Sequence, residues 1–271
     1  MERMSHSDLV MPAGAMLVAM ALLVLALSVA DGGPGRVEAA QAAPVSAGPA
    51  SAPQPQTVLA STSTSRPPDP QPDPDTTILS VRPGASVGLR DAPGGKVVET
   101  VADTTEFGSP TVLTVLERRG AWAGVPTELL PNGELAWVRA GDPGLATDTV
   151  GQSIVIDLSE MRGELSRNGE VERRWSVGIG GSGTPTPTGR FSITDEIESG
   201  LNPVYGCCAI ALSATQPNLP AGWTGGDRIA IHGTSEPLGE ANSTGCVHSS
   251  DADLQALIEG VPLGTPVTIR R

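Results

Sequence analysis

Two histidines flank one cysteine in a 271-residue chain that holds only three of each. His232 and His248 sit on either side of Cys246 within Arg228-Ile-Ala-Ile-His232-Gly-Thr-Ser-Glu-Pro-Leu-Gly-Glu-Ala-Asn-Ser243-Thr-Gly-Cys246-Val247-His248, and the third histidine, His6, lies ahead of a hydrophobic segment. A thiol becomes a useful nucleophile when a base takes its proton and positive potential holds the thiolate, so a Cys and a His must meet in space. Arg228 to Ile231 reads as a strand end that delivers His232 to its tip, and a Gly-rich polar loop returns the chain to Cys246. Behind the cysteine, Ser250 with Asp253 three residues on resembles a capping box, and Leu254, Leu257 and Ile258 follow at helical spacing. A helix should therefore begin just after Cys246, with its positive end favouring a thiolate. Gly245 lets the backbone approach a substrate, and the amides of Thr244, Gly245 and Cys246 are candidate donors to a developing oxyanion.

Residue types alone do not decide this. An isolated Cys is commonly a small buried hydrophobe and an isolated His a satisfied structural residue, and fourteen residues of separation do not by themselves bring the two together. The surrounding residues add the missing specificity. Ile231-His232-Gly233-Thr234, then Leu238-Gly239, then Ser243-Thr244-Gly245-Cys246-Val247 resemble the active-site signature of the L,D-transpeptidases with a YkuD-type catalytic domain. The resemblance continues through Ile154-Val-Ile-Asp157-Leu158, Val177-Gly178, Thr184-Pro-Thr-Pro-Thr-Gly189-Arg-Phe191 and Gly264-Thr-Pro-Val-Thr-Ile269, so it covers roughly residues 151–271.

That resemblance implies acyl transfer on bacterial wall peptides. Cys246 would attack the carbonyl of an L-configured centre in a donor tetrapeptide stem, expel the terminal D-alanine and form a thioester. The side-chain amine of a neighbouring stem would then take the acyl group. His232 would be the proton donor and acceptor, with the Gly233 carbonyl orienting its ring, and Thr234, Ser243, His248 and Tyr205 would contact substrate. Carbapenems would acylate the same thiol, and no cofactor or metal is implied. Water as acceptor would give an L,D-carboxypeptidase instead. Two positions depart from the commonest family pattern. Thr244 stands where many members carry a histidine, and its backbone amide would still serve. His248 stands where an arginine or asparagine is usual; it would hold an anionic group only when protonated, and a role as a second base is the alternative.

The remaining cysteines are adjacent, in Asn202-Pro-Val-Tyr205-Gly206-Cys207-Cys208. They read as two half-buried small residues at a strand start, or as a disulfide in an oxidising compartment. Zinc held by this pair with Cys246 and His248 lacks the usual ligand spacing.

The rest of the chain is expected to position and export this chemistry. Leu9 to Ala30 carries no charge, and its length suits a secretion signal or an N-terminal membrane anchor, spanning residues 1–42 with its head and a small-residue site at Ala40-Gln41-Ala42. Residues 43–76, rich in Pro, Ser and Thr, read as an extended, disordered tether. Residues 77–146 alternate short apolar runs with turn signals at Ser86–Arg90, Lys96–Val98, Thr111–Leu116, Gly120–Trp122 and Gly133–Val138. They resemble a small bacterial SH3-like barrel that could bind wall peptides, with Trp122 and Trp137 as core or as ligand-facing rings. The expected fold is mainly β: this barrel, then a β-sandwich catalytic domain over 151–271 with one short helix after the nucleophile. Thirty acids against seventeen bases give a net charge of −13, which argues against nucleic acid as partner. Peptidoglycan stems are the expected partner of an extracytoplasmic, monomeric enzyme in the cell-wall space. Two other classes compete: a catalytically inactive wall-binding protein, and a thiol redox protein built on Cys207 and Cys208.

Overall fold

The computed structural model describes residues 75–271, all of which belong to one compact unit. The expected leader, and the expected tether up to residue 74, lie outside the described residues. Two hydrophobic cores lie within the unit.

The first core is built by β1 (Thr76–Val81), β2 (Ser86–Arg90), β3 (Val97–Ala102), β4 (Val112–Thr114), β5 (Glu117–Arg119), β6 (Trp122–Pro126), β7 (Leu135–Arg139) and β8 (Leu145–Val150). They form a five-stranded sheet, β3-β2-β7-β6-β5, and a three-stranded sheet, β4-β1-β8. Period-two alternation turns Leu79, Val81, Val87, Leu89, Val125 and Val138 inward onto one cluster. Trp137 is buried under the Arg119 guanidinium, 4.7 Å from its ring centroid, and Trp122 lies half-buried under Arg90 at 5.6 Å. The boundary expected at 146 moves to 150. β8 pairs with β1 along its whole length, from Thr76 opposite Val150 to Val81 opposite Leu145. The run Thr147-Asp148-Thr149 is exposed, so its side chains carried no strand signal although its backbone is fully laddered.

Only Gly151 separates this part from the second core. There β9 (Gln152–Asp157), β10 (Arg162–Arg167), β11 (Glu170–Ser176), β12 (Ile179–Gly180), β13 (Gly189–Ile197), β14 (Ala209–Thr215), β15 (Arg228–Gly233), β16 (Ala241–Ser243), β17 (Val247–Ser249), α1 (Asp251–Gly260) and β18 (Pro266–Arg270) follow in order. Eight of these strands make one sheet, β11-β10-β9-β18-β13-β14-β15-β17, and β12 pairs with β16 separately. The β9–β18 and β15–β17 pairs are parallel. Ile154, Ile156, Phe191, Ile210, Ile231 and Val267 are all but fully buried from alternating positions. The described part of the chain is thus mainly β with a single α-helix, as expected.

The helix exists because it is capped and has one apolar face. Ser250 Oγ accepts the Asp253 amide at 3.1 Å, the cap read from sequence, and Leu254 and Leu257 bury fully against the sheet. Burial of this kind is worth ~2–5 kcal/mol per leucine, judged by what truncation to alanine costs.

Polar contacts join the two cores beside β13, β14 and β15. Asn132 Nδ2 donates to the Thr215 carbonyl at 2.6 Å while Asn132 Oδ1 accepts the Thr215 amide at 3.0 Å. Thr114 Oγ1 donates to the Gly264 carbonyl at 2.6 Å. Arg228 reaches Glu106 and Glu128 of the first part at 3.0 Å each, and Thr194 and Asp195 of the second at 3.0 and 3.6 Å. The Thr105 hydroxyl also donates to Asp195. Asn132→Ala would leave a partly buried backbone pair unsatisfied, so urea unfolding should show a loss of about 1–3 kcal/mol. A change of less than about 0.5 kcal/mol would mean that this bridge does not hold the two parts together.

Candidate active site

Cys246 and His232 share one face of the parallel pair β15–β17. The register sets Ile231 opposite Val247 and His232 opposite His248. Ile231 and Val247 are fully buried in the core, so alternation puts residues 230 and 232 on the opposite face, with 246 and 248 alongside them. A cavity of about 230 Å³ opens over that face, and Cys246, His232, His248, Tyr205, Thr234 and Ser243 all line it. Every candidate site residue read from the sequence, apart from Gly233 and Gly245, therefore reaches one cavity or, for Thr244, its wall.

His232 is held from three sides. Its Nδ1 lies 2.7 Å from the carbonyl oxygen of Gly233, a contact that in the neutral ring fixes the proton on Nδ1 and leaves Nε2 as the acceptor. The Tyr205 ring meets it edge-on at 4.9 Å between centroids, and the His248 ring at 4.8 Å. Gly233 permits close packing beneath: a Cβ there would strike the Asp251 carboxylate, which accepts the Cys207 amide at 3.1 Å. Asp251 thus fastens the Tyr205 loop to the start of α1, close against the strand that carries His232.

The nucleophile loop is shaped by groups that the sequence did not announce. Gln216, nearly fully buried at the end of β14, donates from one amide nitrogen towards the carbonyls of Thr184, Pro185 and Thr244, each at 3.2 Å. Gly245 adopts φ +116°, and a Cβ at that position would collide with the Gln216 amide, so glycine is required twice over. The Cys246 thiol points at the Arg228 carbonyl, 3.9 Å away. Gln216 and Arg228 carry no motif; Arg228 pairs with Thr215, next to Gln216, beyond a register shift in the β14–β15 ladder.

Two expected roles change. Ser243 Oγ donates to the Cys246 carbonyl at 2.6 Å and accepts the Gly245 amide at 3.1 Å, so its hydroxyl shapes the turn rather than facing a substrate. The same bond occupies the Gly245 amide, which removes it from the oxyanion donors in this conformation. The helix begins at Asp251, behind the cap read at Ser250, but β17 lies between Cys246 and its start, and Asp251 and Asp253 sit in its first turn. Those carboxylates offset the positive helix end, so no dipole stabilisation reaches the thiol. Cys207 and Cys208 form a vicinal disulfide, the second of the two readings. Among the described residues no three His, Cys, Asp or Glu side chains gather as metal ligands.

Burial governs the electrostatics. It pushes the Cys246 thiol up, only partly offset by a hydrogen bond from the Ala230 backbone. It pushes His232 down to about 4, against the pull of the Gly233 carbonyl and with further help from His248. Both shifts disfavour charge, so the resting pair is a thiol beside a neutral imidazole. The arrangement suits an acyl transfer in which the proton moves as the sulfur attacks.

A cysteine and a ring-oriented histidine thus share one cavity at the rim of a β-sheet. The family model of the YkuD L,D-transpeptidase catalytic domain matches residues 151–269. YkuD of Bacillus subtilis (strain 168) is 31% identical over 132 residues, covering 48% of this chain and 73% of that protein. YqjB of the same organism is 35% identical over 109 residues, covering 37% of this chain and 60% of that protein. An L,D-transpeptidase structure from Mycobacterium tuberculosis H37Rv is 18% identical with a TM-score of 0.38, over 51% of this chain and 64% of that one. The Ldtfm–avibactam carbamoyl enzyme is 22% identical with a TM-score of 0.34, over 44% of this chain and 48% of that one. The chain spans from about half to under two thirds of these two solved chains. It belongs to the L,D-transpeptidase family with a YkuD-type catalytic domain.

If the resting thiol is neutral, iodoacetamide should alkylate Cys246 ever faster as pH rises past the ordinary thiol range of about 8.5, with no plateau near neutrality. A rate already level below pH ~7 would show a preformed thiolate and overturn this electrostatic account. Gln216→Ala should lower acylation of Cys246 by at least about tenfold while far-UV circular dichroism stays unchanged, since it frees the loop without touching the reacting atoms.

Proposed function

We propose that the chain is a peptidoglycan L,D-transpeptidase acting through a thioester on Cys246. One observation carries this reading: Cys246 and His232 occupy one face of β15–β17 and one cavity, with His232 Nδ1 engaged by the Gly233 carbonyl. Family membership supplies the reaction class. Cys246 attacks the carbonyl of the L-centre in a donor tetrapeptide stem, and His232 takes the thiol proton at Nε2 and passes it to the departing D-alanine amine. Neutral His232 is in the correct state to accept. The amides of Thr244 and Cys246 face the developing oxyanion, while Tyr205, Thr234 and His248 line the stem's path. The side-chain amine of a second stem then takes the acyl group.

In the same reading residues 77–150 form an SH3-like unit that orients the catalytic part and contributes to wall binding. With Trp137 buried, any ligand face there must use other residues. The uncharged run Leu9–Ala30 directs the chain out of the cytoplasm, to work in the cell-wall space.

Incubation with a carbapenem should give a covalent mass adduct that Cys246→Ser abolishes and that the double variant Cys207→Ser, Cys208→Ser retains. With purified tetrapeptide stems the product should be a cross-linked dimer. Trimmed monomer instead of dimer would reassign the activity to L,D-carboxypeptidation, and a folded wild type that forms no adduct would leave an inactive wall-binding shell.

A further inference from the structure

His248 is not used by the mechanism above beyond lining the cavity, yet its placement is unusual. Its side chain is nearly fully buried, and its Nδ1 is enclosed without a hydrogen-bond partner. Backbone bonds on both sides fix the residue, with the Gly178 amide donating to its carbonyl at 3.0 Å and its own amide donating to the Gly178 carbonyl at 2.9 Å. Glu236, on the loop after β15, holds a carboxylate oxygen 3.7 Å from Nδ1 with half of its side chain, 52%, in solvent. The Glu236 amide is anchored on Thr234 Oγ1 at 3.0 Å. That separation is too long for a hydrogen bond and short enough for an ion pair to close when the ring takes a proton.

The proton balance of the proposed reaction gives such a group a task. Acylation by a stem is Cys–SH + R–CO–NH–R′ + H⁺ → Cys–S–CO–R + R′–NH₃⁺. Transfer is Cys–S–CO–R + R″–NH₃⁺ → R–CO–NH–R″ + Cys–SH + H⁺. His232 returns one proton to the sulfur, so a second must leave the incoming ammonium for solvent, and a buried ring that already carries the first cannot take it.

We propose that His248 and Glu236 form the second proton carrier of this site, His248 taking the proton that the acceptor ammonium sheds and Glu236 passing it to solvent. This inference rests on the transpeptidase reading. The groups facing His248 are compatible with it. His232 on β15 repels a second positive charge only while it is itself protonated, and Glu236 attracts one. Gly178 offers backbone alone. Of the other polar lining, burial keeps the Cys246 thiol uncharged and Tyr205 presents its ring, while Asp227 and Arg228 lie at the same cavity's wall and the Arg228 charge is already engaged by Glu106, Glu128 and Asp195. Burial lowers the affinity of His248 for a proton and Glu236 raises it, the combination of a carrier that loads and unloads rather than a fixed cation.

The test compares two reactions of the whole chain. A carbapenem acylates without a second proton, because the thiol proton ends on the nitrogen of the opened ring. Glu236→Gln, which leaves the residues along the stem's path in place, should therefore keep carbapenem acylation within about threefold of wild type. Dimer formation from tetrapeptide stems should fall by at least about tenfold near pH 7 in Glu236→Gln and in His248→Asn. The deficit should shrink as pH approaches the acceptor amine's own value near ~10, where the amine arrives already neutral. Equal losses in both reactions, a transfer deficit that does not change with pH, or unimpaired transfer in both variants would each overturn the proposal. Glu236 sits on an exposed loop, so its variant tests the idea even if His248→Asn fails to fold. A wild type that forms no carbapenem adduct would instead overturn the transpeptidase reading beneath it.

Discussion

The parallel pairing of β15 with β17 is the constraint on which the site depends. Parallel neighbours cannot be joined by a tight hairpin, so thirteen residues, Thr234 to Cys246, must loop out between them. That loop brings Glu236, Ser243, Thr244 and Cys246 to the cavity. Ile231 and Val247, fully buried, lock the register from beneath, because a slip of β17 by one residue would turn Cys246 and His248 into the core, away from His232. The hydrophobic contact on one face thus places the reactive groups on the other.

Burial then decides which form those groups take. Removing a thiol and an imidazole from water penalises both charged forms, and the structure adds little to reverse this: one backbone hydrogen bond at the sulfur and one carbonyl at the ring. A helix terminus at Cys246 would have shifted the balance, but β17 stands between and acidic residues occupy the first turn. Under the transfer proposed above, charge would therefore develop only as a substrate supplies an oxyanion and an amine to pair with it. The same low polarity strengthens each donor aimed at that charge.

Much of this was legible in the sequence where the signal is local. Ser250 and Asp253 cap α1 because a capping box is a three-residue interaction, and Val87 and Leu89 point inward because alternation is a two-residue rule. His232 and Cys246 were legible as a pair only through their surroundings, since spacing alone does not set parallel register. Gln216, Asp251 and Arg228 were not legible as site-building residues. Each acts on a partner distant in sequence, Thr244 for Gln216, Gly206 and Gly233 for Asp251, Glu106 and Glu128 for Arg228. β17 was hidden because three residues ending in Ser249, directly before the Ser250 cap, look like the approach to a helix. β8 was hidden because an exposed edge run reads as polar turn.

The same long-range contacts tie the N-terminal part to the chemistry. Asn132 satisfies the backbone of Thr215, and the next residue, Gln216, gathers the carbonyls around Thr244. Arg228 is held through its guanidinium by Glu106 and Glu128 and offers its carbonyl to the Cys246 thiol. Both lines run from side chains of the first core, through one strand end, to the backbone that presents the sulfur. A shift of a few tenths of an ångström at either junction would be felt at Cys246, because close-packed β structure transmits displacement rather than absorbing it. Polar side chains of the first part therefore bear on where the Cys246 thiol sits as well as on how the two parts are joined.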